Sequence, residues 1–181
     1  MSKYSNLIVV DLSSYGSALA LINEFSDDEG VKVFEVSPMG TGALLILMTQ
    51  EVTAAQILKN QIQTQMNPSV LSCCLIEDAH DDLLKTYLSQ SQTKVGKNIM
   101  IIESTFVSEA LSLANKLLAN SIQLLDLRIV RTFPSNTIIT ATADHSEKLM
   151  TAVQKHNQLK YTLITNPQTV LKSYFEVVTI K

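Results

Sequence analysis

The sequence predicts an α+β chain in which a β-α-β-β-α-β unit, closed by one short helix, occurs twice. Three observations carry this. The stretch Leu7–Val36, LIVVDLSSYGSALALINEFSDDEGVKVFEV, repeats as Ile99–Ile129, IMIIESTFVSEALSLANKLLANSIQLLDLRI, and an internal repeat sets the architecture before any single element does. Within it Asp11 stands for Glu103, Ala18 for Ala110, Leu19 for Leu111, Leu21 for Leu113, Asn23 for Asn115 and Glu35 for Asp126. Short apolar runs alternate with stretches whose apolar residues recur every three or four positions, as Val107, Ala110, Leu111, Ala114, Leu117 and Leu118 do; this is the alternation of strand and amphipathic helix. Finally, 181 residues divide into two units of small-domain size.

In the first repeat Leu7–Leu12 reads as a strand, and Ser13-Ser14-Tyr15-Gly16 as a turn offering a serine cap to the next helix. That helix buries Ala18, Ile22 and Phe25, supported by Leu21, and ends at Asp27-Asp28-Glu29-Gly30. Strand two, Val31–Val36, switches its alternation midway: Val31 and Val33 share one face, Phe34 and Val36 the other. A bulge, or cover on both faces, explains such a switch. Ser37-Pro38-Met39-Gly40-Thr41-Gly42 is a hairpin loop, and Ala43–Met48 a continuous apolar strand expected at the centre of its sheet. Thr49 is the candidate cap of a helix carrying Val52, Ala55, Leu58 and Ile62 on one face. Asn67-Pro68 breaks the chain, Val70–Ile76 is a fourth strand, and Asp78 is placed to cap a short helix over Ala79–Leu88. Residues 91–98, within the polar run SQSQTKVGKN, read as a linker between domains at 1–90 and 99–181.

The second repeat follows the same order, with strands at Ile99–Ile102, Ile122–Leu127, Thr137–Thr142 and Tyr161–Ile164 and a first helix over about Ser108–Leu118. Its hairpin loop, Arg128 to Asn136, is longer and holds Phe133-Pro134-Ser135-Asn136. Asp144 with Glu147 makes a start like a capping box. Asn166-Pro167 opens a short helix whose Val170-Leu171-Lys172-Ser173-Tyr174-Phe175 matches Leu83-Leu84-Lys85-Thr86-Tyr87-Leu88. Two such units, each an antiparallel sheet with helices on one face, make a tandem ferredoxin-like arrangement. That arrangement hosts many functions, so it decides none by itself.

Composition narrows the field. The chain is 46% hydrophobic and 17% charged, with positive mean hydropathy; so low a charge fraction suits a surface covered by partners. A net charge of −3 without a Lys/Arg cluster points away from nucleic acid. The N-terminus lacks a signal pattern and every apolar run is too short for a membrane span, so a cytoplasmic protein with no membrane partner is expected. Adjacent Cys73 and Cys74 form no disulfide framework and suit a reducing compartment.

The chemistry-bearing residues read quietly. His80 lies among Asp78, Asp81 and Asp82, but acids in the first turn of a helix are a commoner pattern than a metal site. His145 and His156 have no acids or cysteines at ligand spacing. Cys73 and Cys74 alternate across a strand, so at most one enters the core, and neither has the cationic setting of a catalytic thiol. Gly40-Thr41-Gly42 joins two strands rather than a strand and a helix, which makes it a hairpin turn and not a phosphate cradle. With no nucleophile, zinc or paired-acid constellation, and no metal or cofactor set, the sequence points away from an enzyme.

In finer detail the chain resembles the bacterial microcompartment (BMC) shell proteins, of the tandem kind with two shell domains. Their opening strand ends in an acid-Thr-like pair, matched by Glu103-Ser104, followed by an Ala-Ala-Asp helix segment, matched by Leu113-Ala114-Asn115. Their Asn-Val before strand two corresponds to Asn120-Ser121-Ile122, and their Ile-Gly-Ser-Gly hairpin to Met39-Gly40-Thr41-Gly42. Their closing strand and short helix resemble Leu75–Leu88. The resemblance implies a structural shell protein, a homotrimer with pseudo-sixfold symmetry, located in a bacterial microcompartment beside other shell proteins. It implies a central pore for small metabolites, lined by Met39-Gly40-Thr41-Gly42 and by Phe133-Pro134-Ser135-Asn136, with Arg128 and Arg131 able to attract anions if they face inward. The family's edge lysine falls near Asp27 and Leu118, which implies weak tiling into flat sheets. An alternative is a regulatory protein with paired small-molecule-binding domains resembling the ACT type. The short last helix in both repeats favours the shell reading, and only Gly16 offers the glycine an ACT-type ligand site wants.

Overall fold

The computed structural model describes residues 4–24, 30–131, 136–154 and 159–178, without the side chains of 177 and 178. In the first repeat the order is β1 (Asn6–Leu12), α1 (Tyr15–Asn23), β2 (Val31–Met39), β3 (Gly42–Thr49), α2 (Val52–Gln65), β4 (Val70–Ile76) and α3 (Asp81–Tyr87). The second runs β5 (Asn98–Ser104), α4 (Val107–Ala119), β6 (Gln123–Val130), β7 (Asn136–Ala143), α5 (Ser146–Val153), β8 (Lys160–Thr165) and α6 (Thr169–Val178). The strands form two four-stranded sheets, β2-β3-β1-β4 and β6-β7-β5-β8. The pairings of β1 with β3 and β4, β2 with β3, and β5 with β7 and β8 are all antiparallel.

Apolar content decides strand position. β3, GALLILMT, is buried from end to end and lies at the centre of its sheet, as its continuous apolar run predicts. Ile8, Val10 and Leu12 of β1 with Leu45 and Leu47 of β3 form one face of that sheet. Ala18 and Leu21 of α1, and Ala55, Leu58 and Ile62 of α2, pack against it. The alternation switch in β2 is a bulge: its register against β3 shifts between Val33 and Glu35, leaving Phe34 as the extra residue.

The first hairpin is tighter than expected. β2 extends to Met39 and β3 begins at Gly42, with Pro38 opposite Ala43, so Gly40-Thr41 alone makes the turn. Gly40 has φ +60°, the backbone that two-residue hairpin turns require at their first position. Four helix starts also differ from expectation: Asn166, expected to open the last helix, takes φ +50°, and α6 begins at Thr169. Thr49 is buried in β3, and its hydroxyl donates to the Glu51 carbonyl at 3.3 Å, while Glu51 holds the cap position of α2 without a side-chain bond. Asp78 takes φ +50° and comes too early; His80 caps α3, its Nδ1 accepting from the Asp82 N–H at 3.2 Å. Asp144 likewise stops one residue short, and His145 holds the cap position of α5 without a side-chain bond. Ser14 does cap α1, accepting from the Ser17 N–H at 3.4 Å.

Two compact units emerge. One gathers Met1–Ala79, Thr105–Ser112 and Val130–Asn136; the other gathers His80–Ser104, Leu113–Ile129 and Thr137–Lys181. In the second unit Ile99, Leu125 and Phe175 form a cluster joined by Val95, Ile101, Ile164 and Leu171. The polar stretch 91–98 is held against this unit: Ser91 is buried and donates to the Leu124 carbonyl at 3.3 Å. The Gly96 N–H donates to Thr142 Oγ1 at 2.9 Å, where a Cβ would lie 3.0 Å from that same oxygen.

Candidate functional site

The first hairpin tip presents Gly40 and Thr41 to solvent, while Met39 and Gly42 are buried. Asn136, at the start of β7, is half-buried. Phe133, Pro134 and Ser135 lie outside the described residues, as do Asp27, Phe25 and His156. Leu118, the other position expected at a tiling edge, is buried at 8% exposure.

Within the first unit, the second-repeat loop reaches the outgoing end of β2. Arg131 Nη2 donates to Glu35 Oε1 at 2.9 Å and Arg131 Nη1 to Ser37 Oγ, while the Ser37 hydroxyl donates to Glu35 Oε1 at 2.8 Å. Arg128 pairs with Asp126, and its guanidinium lies 5.9 Å from the Tyr174 ring centroid. Both arginines expected to attract anions are thus engaged by partners on the protein. Sequence reasoning missed the Arg131 link because its acceptors lie more than ninety residues earlier.

The second polar junction of the first unit centres on Asp11, a buried acid flanked by apolar Leu7, Ile8, Val9, Val10 and Leu12 in β1. Its Oδ1 accepts from the Val107 N–H at 3.1 Å and its Oδ2 from the Ser108 N–H at 2.9 Å. Those are the first N–H groups of α4, which no helix can satisfy internally. Phe106, just before them, has no side-chain acceptor to do so, and a carboxylate at this end also complements the helix dipole. The Ser108 hydroxyl donates to Ser72 Oγ at 2.8 Å, and the Cys74 thiol to the Ser108 carbonyl at 3.0 Å. Burial raises the Asp11 pKa above its ordinary 3.8, opposed by the hydrogen bonds from Ser108 and Val107. The signal for this contact was in the repeat, which places an acid at the end of both first strands.

The cysteines are quiet by environment. Burial pushes the Cys73 thiol up to about 11, with nearby Lys59 opposing, and the Cys74 thiol up to about 12. Such thiols stay protonated and weakly nucleophilic at neutral pH. His80 is occupied as a helix cap, and Asp82 also binds Lys85 at 2.8 Å. Among the described residues no group of three His, Cys, Asp or Glu could hold a metal ion. No described helix is long and apolar enough to cross a membrane.

A solved microcompartments protein from Desulfitobacterium hafniense DCB superposes with a TM-score of 0.73, over 93% of this chain and 98% of its own, at 18% identity. The chain has the fold of a microcompartment protein. No family profile and no curated protein sequence matches it. Two other solved structures each reach a TM-score of only 0.32. One is assigned as a candidate glycine cleavage system transcriptional repressor (12% identity, 91% of this chain and 100% of that one). The other is an unknown protein from Galdieria sulphuraria (7% identity, 90% and 98%). Superpositions that poor carry nothing about this chain. The superposition thus takes in most of both repeats.

Proposed function

We propose that the chain is a structural shell subunit with two BMC-type domains, at 1–90 and 99–181, joined by residues 91–98. Three chains close into a pseudo-hexameric ring in a bacterial microcompartment, alongside other shell proteins. The observation that carries this is the match to a microcompartments protein along nearly the full length of both chains. In this reading the hairpins converge on the ring axis as a pore for small metabolites, which the first hairpin, Met39-Gly40-Thr41-Gly42, meets with its exposed Gly40-Thr41 turn and the second with Phe133-Pro134-Ser135-Asn136. The exposed turn of Gly40 and Thr41 offers backbone groups and a small hydroxyl there, with no charge of its own. Multi-angle light scattering should give three times the 20.0 kDa chain mass, and electron microscopy should show rings with a central opening. A stable monomer or dimer at micromolar concentration would rule the reading out. Thr41→Asp, an exposed turn change expected to alter stability by no more than about 0.5 kcal/mol, should place three new charges at the opening and slow small-anion passage.

A further inference from the structure

Four pairs of repeat-equivalent positions differ sharply in burial. Leu111 is 2% exposed and its equivalent Leu19 46%; Val107 is 0% exposed and Tyr15, at the same offset, 38%. Leu83 is 0% exposed and its equivalent Val170 84%. Asp11 is 5% exposed, whereas Glu103 is exposed and makes no side-chain hydrogen bond or ion pair among the described residues. The sorting has a pattern. The start of the first helix is covered in the second repeat and bare in the first. The strand end and the short helix are covered in the first repeat and bare in the second. One kind of junction is therefore made inside the chain, and the two halves of another are left open.

We propose that a second copy of this chain closes that junction. The start of α1, with Tyr15 and Leu19, docks on Glu103 and Val170 of the next chain, as Val107 and Ser108 of α4 meet Asp11 within the first unit. The Glu103 carboxylate then accepts from the N–H groups of Tyr15 and Gly16, the counterparts of Val107 and Ser108. The Ser14 side chain serves the Ser17 N–H and its carbonyl the Ala18 N–H, and Tyr15 and Gly16 have no partner for theirs among the described residues. Gly16 leaves the approach open, since a Cβ there would meet only Ser14 Oγ, at 3.6 Å. The joint between chains is more highly charged than the internal one, because Lys160 stands opposite Glu103 where Ser72 stands opposite Asp11. The two surfaces are different, so the contact is head-to-tail and closes into a ring when its rotation allows. This rests on the assembly reading above and adds to it the residues that join one chain to the next.

The test uses two variants, each breaking one face at exposed positions: Leu19→Asp on the first-repeat side, and Glu103→Arg with Val170→Asp on the second-repeat side. Circular dichroism and thermal melts establish that both fold, and sedimentation velocity reads their mass. The unsubstituted chain should be a trimer and each variant alone a monomer. A one-to-one mixture should form a heterodimer and nothing larger, since each partner keeps one intact face. If the unsubstituted chain assembles and the variants assemble equally well, this interface is wrong while the assembly reading stands. If the variants are monomers that do not pair when mixed, the head-to-tail contact is wrong. An unsubstituted chain that stays monomeric overturns both. Should either variant misfold, Leu19→Ala and Glu103→Gln replace them, and each should raise the concentration needed for half assembly.

Discussion

The helices α1 and α4 share one template, yet the chain treats them differently. In α4, Val107, Ala110, Leu111, Ala114 and Leu117 are all buried, and the first N–H groups meet Asp11. In α1, Ala18 and Leu21 are buried, but Leu19 and Tyr15 face solvent. Ala18 and Leu21 lie against the sheet of their own repeat and need no one else. The difference therefore lies on the flank that a foreign element must cover. Repeat identity fixes which residues are apolar, and position in the chain fixes which of them find cover.

Core substitution breaks this comparison most strongly. Leu111→Ala should destabilise the chain by about 2–5 kcal/mol, the cost of removing a buried leucine and leaving a cavity. Leu19→Ala should change the stability of the single chain by no more than about 0.5 kcal/mol, as at other exposed positions. Urea unfolding followed by circular dichroism, below the concentration of assembly, measures both. Equal losses would mean that the two helices are equivalent after all.

The acids come next. Asp11→Ala leaves the Val107 and Ser108 N–H groups buried without their acceptor, a loss of about 1–3 kcal/mol, while Glu103→Ala should cost at most about 0.5 kcal/mol. The pH dependence sharpens the contrast. Burial holds the folded Asp11 pKa above the unfolded 3.8, so the folded state binds the proton more tightly. Asp11 therefore favours folding most below pH 3.8, and this contribution falls as pH rises from there through the folded pKa. Subtracting the Asp11→Ala stability curve from that of the unsubstituted chain should reveal that decline. A difference that grows with pH would mean that the carboxylate is better solvated than its burial implies.

The sequence carried much of this architecture. The repeat, the strand order, the alternation switch in β2 (with a bulge as one of two explanations) and the Ser14 cap were all legible, because each depends on neighbours within a few residues or on apolar periodicity. The starts at Thr49, Asp78, Asp144 and Asn166 were misread by one or two positions: β3 and β7 each run one residue past their expected ends, while Asp78 and Asn166 turn through φ +50° before their helices begin. The Asp11 and Arg131 contacts were not legible. Their partners lie about ninety-five residues away, and nothing local marks an acid as a cap for a helix so distant. An acid at the end of both first strands was the one available hint, and only burial separates Asp11 from Glu103.

The smallest expected effect concerns the two arginines, which set a distant contact beside a local one. Arg128 binds Asp126 two residues back, so its ion pair closes almost no loop. Arg131 reaches Glu35 and Ser37 in the other repeat, and its planar fork serves both acceptors at once. Arg131→Ala should nonetheless cost only about 0.2–1 kcal/mol, because its side chain is 47% exposed and water screens such pairs. Glu35 is not stranded by the change, since the Ser37 hydroxyl still donates to it. Arg131→Lys should recover less than the full loss, because an ammonium keeps the charge but not the fork. The loss should shrink toward zero in about 1 M salt, where screening acts within roughly 3 Å. Urea midpoints for Arg131→Ala and Arg131→Lys at low and high salt decide it. A salt-independent loss well above about 1 kcal/mol would show that Arg131 acts through packing of its stem rather than through charge.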